Sequence, residues 1–232
     1  MNGWALKFKT PELGARLQAF CERVIHCFDL PSLRLLCFFD DATPEEFDEL
    51  LGSLHRGFHV PVLGSGNFWP SYVQPLFTDE LANFIYDNVI YLNGRTTPSI
   101  QATVITFAHE LQHFAQCGHM WKVWRANSLI QATLRDGPPT SLKSWDIPYE
   151  IDAMLASKRV AEKVLGGTAV KAHALAQIQL GGTKEEWEFF DRLSQRPFDL
   201  LEESKPWVEE YRAKLQLLKQ NDVDFTVEEW WK

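Results

Sequence analysis

The 232 residues are 45% hydrophobic and 23% charged, which suits one large or two small folded domains and excludes a disordered or fibrous chain. The formal net charge is −8, and residues 184–232 hold eight basic against thirteen acidic side chains, so a nucleic-acid backbone is not expected as a partner. No apolar run approaches the ~20 residues of a membrane span, and residues 1–9 lack the apolar core of a signal peptide; a cytoplasmic location is expected, with export by another route left open.

Pro11 opens a predicted helix through about Phe28, with Leu13, Leu17, Phe20, Val24, Ile25 and Phe28 at helical spacing. The apolar run from Leu33 to Phe39 fits a buried strand. Thr43 as N-cap, Pro44 behind it and the acids Glu45 and Glu46 predict a helix to about His55. His55 and His59 are four apart, but Gly57 and Pro61 break any helix joining them, so both read as surface or loop histidines. Residues 60–77, rich in Gly, Pro and aromatics, are expected to be irregular or short-stranded and to border a cleft.

A short helix from Thr78 to Tyr86 leads into a strand at 88–93 that ends at Gly94. Thr97 and Pro98 start the next helix, and Gly118 stops it. Further helices are predicted from Met120 to about Arg135, from Pro148 to about Leu165, and between the glycine pairs 166–167 and 181–182. Another begins at Thr183, whose spacing to Glu186 fits a capping box. The aromatic-rich last quarter, with Trp187, Trp207, Tyr211 and Trp230 among its rings, reads as amphipathic helices packing a core. Cys21, Cys27, Cys37 and Cys117 form no C-x-x-C pair and are expected as free, buried thiols.

The helix predicted over 98–117 carries the chemistry. His109 and His113 are four apart and project from one helical face, a spacing that lets both imidazoles bind one zinc ion at ~2.0–2.1 Å. Glu110 follows the first histidine, placed to reach a metal-bound water without ligating the metal. The rest of the helix is apolar (Ile100, Val104, Phe107, Ala108, Leu111, Phe114, Ala115), and two histidines and a glutamate are costly to bury there without a partner.

A catalytic zinc usually takes three protein ligands and a water, so a third ligand is needed. Glu150 stands 37 residues after His113, near the start of a helix. His119 stands six residues after His113, but six residues turn a helix by about 600°, leaving it about 240° off the ligand face. Glu150 is the favoured candidate and His119 the alternative.

The motif His109-Glu110-x-x-His113, with Gln116 three residues on and Glu150-x-x-Ala153 downstream, resembles the zincin metallopeptidases of the gluzincin type. The resemblance covers about residues 88–165. It implies an α+β, mostly helical, zincin-like fold with a small sheet packed on the metal-binding helix. Residues 1–97 would hold the sheet, 98–166 the metal-binding core and 167–232 a helical C-terminal part, joined in one globular unit. It further implies hydrolysis of peptide bonds with Zn2+ at His109, His113 and Glu150 and with Glu110 as general base; another divalent ion can use the same ligands.

Tyr149 and His173 are candidate stabilisers of the oxyanion. An extended substrate would pair along the strand at 88–93 or a neighbour of it. One departure stands out: Met154 occupies the position of an aspartate that orients a metal histidine, so Asp146, Asp152 or Asn127 would have to serve, with Asp152 itself expected on the solvated side. Two rival readings are a zincin fold kept as a binding module and an RNA-processing metallohydrolase using His109, His113 and His119.

Overall fold

A computed structural model describes residues 3–41, 57–61, 88–95, 97–136, 146–179 and 184–219. Four strands, β1 (Trp4–Phe8), β2 (Leu35–Asp40), β3 (Gly57–Pro61) and β4 (Asn88–Asn93), form one sheet in the order β1-β2-β4-β3. The first three in that order are parallel, with Leu35 opposite Asn88 and Phe39 opposite Leu92; β3 runs antiparallel to β4 at the edge. Among the described residues there are seven helices, also numbered in chain order: α1 (Pro11–Ile25), α2 (Ile100–His119), α3 (Trp121–Asp136), α4 (Pro148–Leu165), α5 (Gly167–Gln179), α6 (Lys184–Leu193) and α7 (Leu200–Lys219). The α+β class is as expected, and no described helix is long and apolar enough to cross a membrane.

Local chemistry accounts for the helix starts. Thr10 accepts a hydrogen bond from the Leu13 amide ahead of Pro11, and Ser99 accepts one from the Ala102 amide ahead of α2. The cap of α2 is thus Ser99, two residues beyond Thr97. Its end is not made by Gly118, which lies inside the helix: a Cβ there would sit 2.3 Å from the Pro31 ring, so the glycine permits close packing rather than a stop.

Every residue of β2 and β4 is buried, the mark of strands covered on both faces. Alternation sends Leu35, Cys37, Phe39, Ile90 and Leu92 toward α1 and α2, where they meet Leu17, Val24, Val104, Phe107 and Leu111. The Phe39 ring stacks on Phe8 at 4.8 Å and meets Phe107 edge-on at 5.1 Å. Cutting Phe107 to alanine in such a core costs ~3–5 kcal/mol. A second core forms between α3 and α7, where Ala126 and Ile130 pack on Val208 and Tyr211, and Asn127 donates to Ser204 at 2.8 Å. Cys21, Cys37 and Cys117 are free and buried as expected, while Cys27 is half-buried.

Two strands escaped the sequence reading. β1 pairs with β2, where no element was anticipated, and β3 begins at Gly57, ahead of the stretch marked as short-stranded. With β3 outside it, the strand at 88–93 lies inside the sheet, whose two edges among the described residues are β3 and β1. The helices expected at 43–55 and 78–86 lie outside the described residues, as does His55.

Gly57 is where β3 crosses α2. A Cβ there would lie 2.9 Å from the Tyr91 carbonyl oxygen, 3.1 Å from Thr106 and 3.5 Å from Glu110. Gly57→Val should therefore lift the edge strand from α2 and lower stability by ~1–3 kcal/mol, read as a lower urea midpoint at unchanged slope.

Candidate metal centre

The site is built where α2 meets α4. The apolar side of α2 packs under the sheet, which turns His109 and His113 toward α4. Pro148 starts α4, so Glu150 falls in its first turn, where the positive end of the helix dipole favours a carboxylate. Ala153, Ala156 and Ala161 keep α4 slim and fully buried on the facing side, which lets the two helices approach closely.

His109, His113 and Glu150 converge. Their Nε2 atoms lie 3.0 Å apart, and Glu150 Oε2 is 3.1 Å from the first and 3.5 Å from the second. Donors placed ~2.0–2.1 Å from the centre of a tetrahedron are ~3.3–3.4 Å from one another, so the three atoms have the spacing of three ligands to one zinc-sized ion. The donor set, two imidazoles and one carboxylate, also suits that ion. Among the described residues this is the one group of this kind.

His113 Nδ1 donates to Gln116 Oε1 at 2.9 Å, which leaves Nε2 as the nitrogen that faces Glu150 and that would have to lose its proton to hold a metal. Burial opposes a charge on His113, but the Glu150 carboxylate overrides it and lifts the imidazole pKa to about 9. Burial likewise opposes ionisation of Glu150, and His113 and His109 draw it well below the ordinary carboxylate range.

Gln116 is itself fixed, since its amide donates to the Tyr149 carbonyl at 3.0 Å and to Asp152 Oδ2 at 2.8 Å. Asp152 also accepts from Gln112 at 2.6 Å. The solvated role expected for Asp152 is thus corrected: it anchors two glutamines of α2. Asn127, another residue considered for orienting a histidine, is spent on the Val123 carbonyl and Ser204. Met154 offers only a weakly accepting sulfur, and His109 Nδ1 is buried with no hydrogen-bond partner among the described residues.

Tyr149, a candidate oxyanion donor, has its ring 4.8 Å from that of His113 and its hydroxyl on Gln131 Oε1 of α3. Gln131 in turn donates to Glu150 Oε1 at 2.8 Å. His119 is exposed at the end of α2, its Nε2 2.9 Å from the Asp29 carbonyl and outside the cluster. His173 lies on α5, also outside it.

Glu110 is buried at 7% exposure, and burial raises its pKa against the opposing pull of His109 and His113. It accepts a hydrogen bond from the backbone amide of His59 on β3. His59 is no loop histidine: its ring lies 6.0 Å from Phe114 and 5.9 Å from Trp124, and Nε2 meets Asn88 Oδ1 at 2.7 Å. Desolvation pushes its pKa down to about 3, so it stays neutral.

Gln116 was visible to sequence reasoning as a letter of the motif, and its three-residue spacing from His113 is a signal for contact on one helix. Gln131 carried no signal, because nothing local distinguishes it on α3. Comparison of the chain with protein-family models, with curated proteins and with solved structures finds no match.

Metal content by mass spectrometry tests the ligand set. Wild type should carry one equivalent of zinc, Glu150→Ala should lose it, and His119→Ala should keep it. Loss on changing His119 alone would transfer the third position to that residue.

Proposed function

We propose that this chain is a zincin-like metallopeptidase that hydrolyses peptide bonds, with zinc as its metal. The observation that carries the reading is the convergence of His109, His113 and Glu150 beside a buried general-base candidate, Glu110. A bound zinc ion would supply Lewis acidity and a water acidified toward neutral pH.

The chain's own residues account for the remaining work. Glu110, whose burial keeps its proton affinity above that of an ordinary glutamate, takes a proton from the attacking water and passes it to the leaving amine. The His59 amide holds that carboxylate in place from the edge strand. The outer side of β3 is open among the described residues and offers backbone groups along which an extended peptide can pair. Tyr149, hydrogen-bonded through its hydroxyl to Gln131, orients the ligands rather than meeting the substrate.

An RNA-processing site built on three histidines is disfavoured by the position of His119, and a purely structural metal site would have no use for Glu110.

A peptide library incubated with zinc-loaded protein, with cleavage read by mass spectrometry, provides the test. Glu110→Gln should lower the cleavage rate by ~10²–10⁴-fold while zinc stays bound. Absence of cleavage by the zinc-loaded wild type, or undiminished cleavage by Glu110→Gln, would sink the proposal.

A further inference from the structure

The two oxygens of Glu150 are not equivalent. Oε2 faces His109 Nε2 and His113 Nε2, whereas Oε1 accepts a hydrogen bond from Gln131 Nε2 at 2.8 Å. Gln131 belongs to α3, an element otherwise packed on α7 and α2 with little contact to α4. Its amide cannot be turned around at no cost. The carboxylate requires the NH₂ end, and the Tyr149 hydroxyl donates to the oxygen end. Tyr149 adjoins Glu150 in sequence and is 5% exposed, its ring against His113. Glu150, Gln131 and Tyr149 therefore form a closed chain that leaves the carboxylate one orientation.

We infer that Gln131 is a positioning residue: it holds Glu150 so that Oε2 alone is offered alongside the two histidine nitrogens, and Tyr149 acts by fixing the Gln131 amide. The inference rests on the metal site proposed above. A neutral amide suits the task, because it binds the carboxylate without adding a charge that competes with the ion. An arginine or lysine in its place would neutralise the ligand, and a glutamate would repel it. Gln131 lies outside the motif helix, and nothing in the H-E-x-x-H pattern implies it.

The test is zinc affinity, measured by competition with a chromophoric chelator. The samples are wild type, Gln131→Leu, Tyr149→Phe, the double variant, and Glu150→Ala as the marker of a lost site. Gln131→Leu should weaken zinc binding ~10–100-fold, the range typical of groups that orient metal ligands. Tyr149→Phe keeps the ring against His113 and should weaken binding less. The double variant should match Gln131→Leu, because both changes cut one chain of hydrogen bonds.

Affinity equal to wild type in both single variants, with Glu150→Ala still losing zinc, would overturn the positioning role and leave the metal site standing. Fully additive effects in the double variant would also overturn it, since tyrosine would then act through His113 and not through Gln131. A wild type that binds no zinc, or an Glu150→Ala variant that binds as well as wild type, would overturn both the inference and the site beneath it.

Discussion

The close packing of α2 on α4 is the constraint on which the rest of the structure depends. It places a carboxylate from one helix within 3.1–3.5 Å of two imidazoles from the other, in surroundings that are mostly out of water. Burying such groups is expensive unless each polar atom has a partner or an ion takes their lone pairs. Small side chains along α4, Ala153 first among them, make the approach possible. The sheet beneath keeps α2 from moving away, through Leu111 and through Phe107, which the Phe39 ring meets edge-on.

Around the cluster the chain uses neutral amides instead of further charges. Gln116 accepts from His113 while donating to Asp152 and to the Tyr149 carbonyl; Gln131 accepts from Tyr149 while donating to Glu150. An amide can do both at once, which lets it orient a base on one side and be oriented by an acid or phenol on the other. Asp152 stands one glutamine away from the imidazole it steadies. His109 differs, with Nδ1 buried and without a partner among the described residues, so its ring is held by packing and by its neighbours' Nε2 and Oε2 atoms.

The antiparallel edge strand completes the arrangement from the other side of α2. Gly57 brings β3 down to Thr106 and Glu110, and His59, locked between two aromatic rings and Asn88, fixes the stretch whose amide reaches the Glu110 carboxylate. The general-base candidate is thus positioned by backbone, and its burial raises its proton affinity. One edge strand thereby shapes the surroundings of Glu110.

Periodicity and capping chemistry in the sequence determined the helices α1 to α5 within a few residues, the strand at 88–93 to its ends, and the pairing of His109 with His113, because these depend on neighbours three or four positions away. The case against His119 also followed from local geometry, since a continuous helix carries residue 119 round to the far side. Other features were decided only by the tertiary structure. β1 is too short to announce itself without its partner β2, and β3 gains its edge position, and Gly57 its purpose, from the helix it crosses. Asp152 looked like a solvated residue until α2 supplied Gln112 and Gln116, and Gln131 acquires a role only when α3 folds back onto the first turn of α4. Histidines four positions apart on a helix are written in the chain; the residues that orient them come from elements brought together by the core, and no local pattern records that meeting.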